Sequence, residues 1–201
     1  MTGPDRRIPP LPYAEWDDEA RQKLPQYLRR PELYESEGGD RPMPAALGHY
    51  AQHLRLGLGW LSFSDVFAKD PLLDPRYREV LVLRVAWRTR SEYEWFQHVR
   101  IAQQCGLTAE HVQAAMEGPD APLWTPLERA LVAATDEMID RSVVSNATWE
   151  QLRQHFDDTQ LIELLYVVGS YVCLAMVTNS IGLKADPTPE VEVPPIPPLD
   201  V

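Results

Sequence analysis

The stretch REVLVLRVAWRTRSEYEWFQHVRIAQQCGLT, residues 78–108, carries most of the information about the fold of this chain of 201 residues. Eight residues after Glu79, VLVLRVAW, are apolar apart from one arginine, which indicates a helix buried on most of its faces. The helix has a clear start, because Asp74 and Pro75 are the residue types preferred at an N-cap and at the first helical position. The sequence therefore predicts a buried helix over residues 76–90.

A second helix follows directly. Ser91 and Glu94 have the spacing of a capping box, in which each side chain bonds the backbone N–H of the other residue. Gly106 is a typical C-terminal stop for the helix that the box would begin. Glu94 and His98 are also four residues apart, so the same helix face could hold a carboxylate beside an imidazole. The stretch SEYEWFQH is thus either only a helix start or also a reaction site.

Signals for the start of a helix recur along the rest of the chain. Thr108 and the Thr125/Glu128 pair are N-cap signals, and Asp157 or Asp158 precedes a long apolar run. No segment alternates with the period of two that a half-buried strand would show. We therefore expect an all-α fold of about seven helices over residues 45–69, 76–90, 91–106, 108–116, 126–141, 147–155 and 159–183.

Proline divides the chain into three parts. Fourteen of the nineteen prolines lie before residue 45 or after residue 186, where they oppose long helices. We expect a Pro-rich N-terminal extension with a short helix at 1–44, a helical domain at 45–184 and a Pro-rich tail at 185–201. The tail is typical of an extended segment that either packs on a neighbouring subunit or stays mobile.

Charge and composition argue against some classes of function. The formal charge is −11 and no Lys/Arg-rich run occurs, which argues against binding to nucleic acid. Cys105 and Cys173 are far apart and form no CxxC pair, as expected for reduced thiols in a cytoplasmic protein. The N-terminus lacks the apolar segment of a secretory signal.

The apolar run at 161–183 is long enough to cross a membrane, but Glu163 and its flanks favour a central buried helix instead. Such a helix needs partners on every side, which favours a homo-oligomer and predicts no membrane partner.

Taken as a whole, residues 78–108 resemble the carboxymuconolactone decarboxylase and alkyl hydroperoxidase D-like superfamily, and the likeness extends over about residues 45–183. The resemblance implies an all-α fold with a core helical hairpin. It also implies assembly as trimers or hexamers, with active sites near subunit contacts. The redox branch of that family has a glutamate, then CxxC, then a histidine four residues after the second cysteine.

The chain departs from that pattern at the two cysteine positions. The motif positions hold Glu79, Ser91, Glu94 and His98, so the two thiols that disulfide exchange requires are missing. The decarboxylase branch works by acid/base catalysis on a carboxylated lactone, without a metal or other cofactor. The resemblance thus implies His98 as general acid/base, Glu79 as its orienting or relay group, Glu94 as a second carboxylate and Ser91 as a hydrogen-bond donor.

Beside these groups, Tyr93 and Trp95 would supply flat walls for a small acidic substrate. The expected function is therefore a cofactor-independent decarboxylase, lactone-opening enzyme or related lyase or isomerase, and not a thiol peroxidase. His49 and His53 are spaced to share a helix face, but no third metal ligand is signalled nearby, so we expect no metal site.

Two alternatives remain open. A non-catalytic helical oligomer would have replaced the cysteines by a capping box, and would show a solid core around Glu94 and His98. A residual peroxidase or reductase would act through Cys105. An acid/base enzyme would instead show a pocket beside Tyr93 or Trp95 that is reached from solvent.

Overall fold

The computed structural model describes residues 7–185 and 192–199, and within these ranges the fold is all-α, as predicted. The only β-type pairing there is an isolated bridge between Tyr34 and Arg41. The α-helices of the described residues are α1 (Asp18–Lys23), α2 (Ala45–Gln52), α3 (Leu54–Lys69), α4 (Pro75–Thr89), α5 (Glu92–Gln104), α6 (Ala109–Glu117), α7 (Pro126–Arg141), α8 (Asn146–Leu152) and α9 (Asp158–Ile181).

The centre of the fold is the α4/α5 hairpin. Helix α4 is buried continuously from Glu79 to Ala86, because α5, α6, α7 and α9 pack around it. Its N-terminus is capped by the Asp74 side chain, which accepts a hydrogen bond from the Arg76 N–H at 2.8 Å. Its C-terminus turns through Arg90, whose φ of 53° lies in the left-handed region. This tight turn sets α5 antiparallel to α4 and fixes which residues face each other.

Helix α9 is the long apolar helix that the sequence predicts. It packs against α4, α5 and α7, and its inner face includes Leu164, Val167 and Val168, all fully buried. By length and composition alone it could also cross a membrane. Its buried residues follow helical periodicity along one side, and large apolar side chains are exposed on the other, among them Tyr166 and Met176.

The described part of the chain has nine α-helices, where the sequence predicts about seven. One of the additional helices is α1, the short helix expected in the N-terminal extension. The other arises because the helix predicted over 45–69 is broken at His53 (φ −136°, ψ 68°) into α2 and α3. Helix α8 also ends at Leu152, three residues earlier than predicted.

Both Pro-rich ends lie against the helical domain. Residues 7–44 form α1 and four short 3₁₀ helices around a small apolar cluster that includes Trp16 and Leu24. Residues 192–199 are extended, and the Pro194 carbonyl accepts a hydrogen bond from the Trp95 indole at 2.8 Å. The tail thus packs on its own chain there, whereas residues 1–6, 186–191 and 200–201 of the predicted extensions lie outside the described residues.

We predict that two glycines of α3 respond oppositely to alanine. A Cβ at Gly57 would lie 2.4 Å from Tyr50 Cβ, where α2 folds back on α3, whereas a Cβ at Gly59 would meet no atom within 4 Å. Gly57→Ala should destabilise by about 1–3 kcal/mol through overpacking, and Gly59→Ala should stabilise by up to about 1 kcal/mol through helix propensity. Thermal unfolding followed by circular dichroism measures both. Equal midpoints for the two variants would contradict the close α2–α3 contact.

Candidate active site

Glu79 and His98 meet in the interior of the α4/α5 hairpin. The Glu79 side chain is fully buried, and its Oε2 lies 2.6 Å from His98 Nδ1. Its other oxygen, Oε1, accepts a hydrogen bond from Arg78 Nε at 2.9 Å. The carboxylate is therefore held at both oxygens, by one neighbour from its own helix and one from the facing helix. The sequence reasoning predicted the Glu79/His98 pair but not the contribution of Arg78.

The electrostatics of the pair favour an ionised Glu79. Burial alone raises the pKa of its carboxyl, but the charge and hydrogen bond of His98, followed by those of Arg78, outweigh burial and lower it. An ionised Glu79 accepts the Nδ1–H of His98, which leaves the lone pair of a neutral imidazole on Nε2. The ring is then oriented as a base with a carboxylate behind it.

Glu94, one turn earlier on α5, has the opposite environment. It is 1% exposed, and neither of its carboxyl oxygens has a hydrogen-bond partner among the described residues. Burial raises the pKa of Glu94 well above its ordinary value, and the neighbouring Ser91 hydroxyl only partly opposes this. The raised pKa favours the protonated carboxyl, which can donate a hydrogen bond, over the carboxylate.

Only one of the two hydrogen bonds of the predicted capping box is present. Ser91 Oγ accepts a long hydrogen bond from the Glu94 N–H at 3.4 Å, but the Ser91 N–H donates to the Ala86 carbonyl at 3.0 Å. That bond, with the one from the Arg90 N–H to the Trp87 carbonyl, is the Schellman motif that ends α4. The reciprocal bond from Glu94 was predicted wrongly, because the preceding helix already uses the N–H that it required.

Two tyrosines extend this group of titratable side chains. The Tyr171 ring of α9 stands edge-on to the His98 ring, with centroids 4.9 Å apart and planes at 90°. Burial raises the pKa of Tyr171, and the carboxyl charges of Glu79 and Glu94 raise it further. Burial and the charge of Glu94 likewise raise the pKa of Tyr50, on α2, to about 12. Both phenols therefore stay protonated at neutral pH.

Neither tyrosine was predicted from the sequence to lie at the site. Tyr171 and Tyr50 lie on helices far from the SEYEWFQH stretch in the chain, and a tyrosine in an apolar helix is an ordinary core residue. Only the packing of α2 and α9 beside α5 identifies them.

A cavity of about 340 Å³ adjoins this group. Tyr93, Tyr50 and Thr178 line it, and most of the remaining wall is apolar, from Ile8, Leu56, Val177, Ile181 and Leu183. Thr178 Oγ1 lies 3.4 Å from Ser91 Oγ, and Tyr50 interacts electrostatically with Glu94. Glu79, Glu94 and His98 do not line the cavity themselves. Tyr50 and Thr178 are the residues that connect it to them.

The remaining predicted site residues lie elsewhere or have other contacts. Trp95 is 1% exposed and packs against Trp87 in the core, so it does not reach the cavity. His49 and His53 both line the cavity. Within residues 7–185 and 192–199, no three His, Cys, Asp or Glu side chains form a metal-ligand cluster.

Cys105 has the properties of an unreactive thiol. It is half-buried at the C-terminal end of α5, and neither it nor Cys173 forms a disulfide. Burial raises the pKa of the Cys105 thiol, and the nearby Glu79 charge raises it further against a weaker opposing effect of Arg78. A raised pKa lowers the fraction of thiolate, which is the reactive form in peroxide reduction and disulfide exchange.

Comparison with known proteins gives a family match over part of the chain and identifies the fold. The sequence profile of the carboxymuconolactone decarboxylase family matches residues 52–137, which include α4, α5 and most of α7. A search of curated proteins gave no match.

Among solved structures, a peroxidase-related protein from Ralstonia eutropha with an alkylhydroperoxidase AhpD core superposes with a TM-score of 0.74 at 19% identity. The alignment covers 91% of this chain and 93% of that one. A peroxidase-related protein from a Silicibacter species superposes with a TM-score of 0.71 at 16% identity, over 92% and 95% of the two chains.

A cysteine-to-alanine variant of the debrominase Bmp8, in complex with 2,3,4-tribromopyrrole, superposes with a TM-score of 0.70 at 11% identity, over 92% of this chain and 94% of that one. At these identities the likeness establishes the alkylhydroperoxidase D-like fold. The peroxidase-related and debrominase activities are those of the compared proteins.

We predict that Glu94→Gln stabilises the protein above the ordinary glutamate pKa of 4.5. The folded pKa of Glu94 is raised, so the folded state binds more protons than the unfolded state between 4.5 and the raised value, and stability falls as pH rises through that window. The variant lacks this loss, and its thermal midpoint should exceed that of the parent at neutral pH by a few degrees, at about 2–4 °C per kcal/mol.

The difference should shrink toward zero as pH falls below 4.5. Glu92→Gln is the matched control, because Glu92 lies in the same helical turn but is exposed and pairs with Lys184. Its midpoint should change little at any pH. If Glu94→Gln lowered the midpoint at every pH, Glu94 would be an ordinary stabilising cap.

Proposed function

We propose that this chain is an acid/base enzyme that needs no cofactor and acts on a small organic molecule. The proposal rests on the match of residues 52–137 to the carboxymuconolactone decarboxylase family and on the buried Glu79/His98 pair. The observation that carries the proposal is the contrast between two carboxyl groups at one site. Glu79 is paired with His98 and has a lowered pKa, whereas Glu94 has no hydrogen-bond partner among the described residues and has a raised pKa. Environments that separate the pKa values of two such groups assign one to the base and the other to the acid.

His98 is the proposed general base. Its Nδ1 is bonded to Glu79, so Nε2 is the nitrogen that can take a proton from a substrate carbon. The imidazolium that forms is stabilised by the Glu79 carboxylate at 2.6 Å. The His98 residue is 9% exposed, which limits the access of bulk water to the transferred proton.

Glu94 is the proposed general acid. Its proton can be donated to a carbonyl oxygen as negative charge develops there. The Glu94 carboxylate that remains is reprotonated when the enol oxygen returns that proton, as protonated His98 delivers a proton to the substrate carbon. The Ser91 hydroxyl, beside Glu94, would stabilise the ionised form transiently by hydrogen bonding. Removal of a proton from carbon and donation to oxygen convert a carbonyl compound into its enol.

An enol or enolate intermediate is common to several reactions of this chemistry. Loss of carbon dioxide from a carboxylated lactone also passes through an enolate, with the bond to the carboxyl carbon breaking in place of a C–H bond. Isomerisation returns the proton at another carbon. The acidic substrate expected from the sequence stays a prediction, and so do the cytoplasmic location and the absence of a nucleic-acid partner.

Three observations support this function over the alternatives. A non-catalytic oligomer would show Glu94 and His98 satisfied in a solid core, but Glu94 has no hydrogen-bond partner among the described residues and a cavity lined by Tyr93 lies nearby. A peroxidase acting through Cys105 would need an activated thiolate, and the pKa of Cys105 is raised. Tribromopyrrole in the debrominase Bmp8 variant further supports a small ring as the size of ligand suited to this fold.

The test is proton exchange at carbon in D₂O. We expect the parent protein to catalyse deuterium incorporation next to the carbonyl of at least one probe in a set of small γ-lactones and cyclic ketones, measured by mass spectrometry. His98→Gln and Glu79→Gln should each slow the exchange by about 10²-fold or more, as expected for loss of general acid/base catalysis. Glu94→Gln should slow it too, because the amide cannot donate an acidic proton.

Cys105→Ser is the control, and its exchange rate should match that of the parent. Exchange no faster than in buffer for every probe would contradict the proposal. Thiol-dependent peroxide consumption that disappears in Cys105→Ser would replace it with the peroxidase alternative.

A further inference from the structure

We infer that the hydroxyl groups of Ser91 and Thr178 form a relay that moves a proton between the buried carboxyl of Glu94 and an oxygen-bearing ligand in the cavity. The inference deepens the proposed acid/base function and rests on that function for the reaction at the ligand. The relay itself is a property of the protein alone, so it is measurable without a substrate.

The proposed general acid is separated from the cavity. Glu94 is 1% exposed and is not among the residues that line the cavity. A proton donor acts only within hydrogen-bond reach of its acceptor or through an intervening group that is itself within reach. Neither carboxyl oxygen of Glu94 has a hydrogen-bond partner among the described residues. Its proton therefore needs intervening groups that can both receive and give a proton before it reaches a ligand.

Ser91 supplies the first such group. The residue is fully buried, and its hydroxyl is the hydrogen-bonding neighbour that opposes the effect of burial on the pKa of Glu94. Ser91 Oγ accepts the Glu94 N–H at 3.4 Å, which uses one of its two lone pairs. The second lone pair can receive the carboxyl proton while the hydroxyl passes its own proton on.

Thr178, on α9, supplies the second group. Its Oγ1 lies 3.4 Å from Ser91 Oγ, and either hydroxyl can be the donor between them. Thr178 Oγ1 also donates to the Leu174 carbonyl at 2.9 Å. While its proton is there, both lone pairs of the oxygen can accept, one from Ser91 and one from a ligand. Because Thr178 lines the cavity, the two hydroxyls connect Glu94 to it.

The cavity end of this path has further polar groups. They are the side chains of His49, Tyr50, Gln52 and His53, which line the cavity beside a largely apolar wall. These groups can bind polar atoms of a ligand and exchange protons with water. Thr178 is the lining residue whose hydroxyl lies next to that of Ser91. It also lines a smaller cavity of about 170 Å³ between the end of α9 and the tail, so a proton on Thr178 can leave on either side.

The proposed step conserves protons and electrons. As negative charge develops on the ligand oxygen, Thr178 gives it a proton, Ser91 gives its proton to Thr178, and Glu94 gives its proton to Ser91. One O–H bond forms on the ligand and one breaks on Glu94, while each hydroxyl keeps one hydrogen. The reverse shift restores the Glu94 carboxyl when the ligand oxygen returns its proton.

The first experiment follows the Glu94 proton by infrared spectroscopy at pH 5, where the raised pKa favours the protonated carboxyl. The C=O stretching band of a protonated carboxyl shifts when its O–H becomes O–D, and Glu94→Gln identifies the band that belongs to Glu94. The rate of this shift is measured after rapid transfer to D₂O. Thr178→Val, which replaces the hydroxyl by a methyl group, should slow the shift at least about tenfold.

Thr178→Ser keeps the hydroxyl and should shift at the rate of the parent. Thr135→Val is the matched control, because Thr135 is also buried and its hydroxyl donates to the carbonyl four residues earlier at the same 2.9 Å, but it does not line the cavity. Its rate should equal that of the parent. Ser91→Ala breaks the path at the other hydroxyl and should slow the shift as Thr178→Val does, so the result does not depend on one variant folding.

An unchanged rate in folded Thr178→Val or in folded Ser91→Ala would overturn the inference. The absence of a Glu94-dependent band at pH 5 would do so too, because no proton would be present to move. Equal slowing in Thr135→Val would make the effect a general result of losing a buried hydroxyl and would also overturn it. If Tyr50→Phe slowed the shift and Thr178→Val did not, the proton would pass through Tyr50 instead.

The second experiment is deuterium incorporation at carbon with the γ-lactone and cyclic ketone probes. Thr178→Val should slow incorporation by about 10²-fold with little change in KM, and Thr178→Ser should restore it. A parent that incorporates no deuterium but shows the Thr178-dependent infrared shift would defeat the proposed function alone. Incorporation that is unaffected by Thr178→Val would overturn the relay and leave the proposed function standing.

Discussion

The burial of the Glu79 carboxylate is the constraint on which the rest of the structure depends. A charge in the interior of α4 is destabilising by several kcal/mol unless it is paired and hydrogen-bonded. Both oxygens are satisfied, by Arg78 and by His98, and the second contact requires α5 to run antiparallel to α4 at one defined register. The left-handed Arg90 sets that register. The turn that closes the hairpin and the geometry of the site are therefore one and the same feature.

The same turn explains why Glu94 is left unpaired. The Schellman motif at the end of α4 uses the Ser91 N–H, which is the donor that a capping box would offer to the Glu94 side chain. The Schellman motif and the capping box both require the Ser91 N–H as donor. In the structure it donates to the Schellman motif, which closes the hairpin. Glu94 consequently carries the cost of an unsatisfied buried carboxyl. Groups retained at such a cost are concentrated at functional sites, because function and stability make separate demands on a residue.

The parts of the fold that the sequence predicts are those with local causes. Asp74 and the Thr125/Glu128 box cap helices as expected, since capping depends on residues within one turn. The pairing of Glu79 with His98 was also accessible, because both lie near a single tight turn. The break at His53 was not, since it depends on how α2 packs against Gly57 of α3.

The wider site depends even more on tertiary packing. Tyr50 and Tyr171 reach the α5 residues from helices that precede and follow the hairpin, and their roles follow from helix rotation, which no local pattern fixes. Trp95 illustrates the converse. Its place within SEYEWFQH indicated a cavity wall, but it lies on the side of α5 that faces Trp87 and the tail segment. Periodicity predicts that a residue is buried, but it does not predict which neighbours bury it.

Helix α9 shows why hydropathy alone does not determine the role of an apolar helix. Three interpretations remain possible: a membrane span, a core helix and an interface helix. Its composition fits all three, since apolar residues occur around its whole circumference. Position separates them. The inner residues fill the core against α4, while on the outer face Tyr166 contacts Phe63 of α3. Thr178 is buried and also lines the cavity, so one helix contributes both to the core and to the cavity wall.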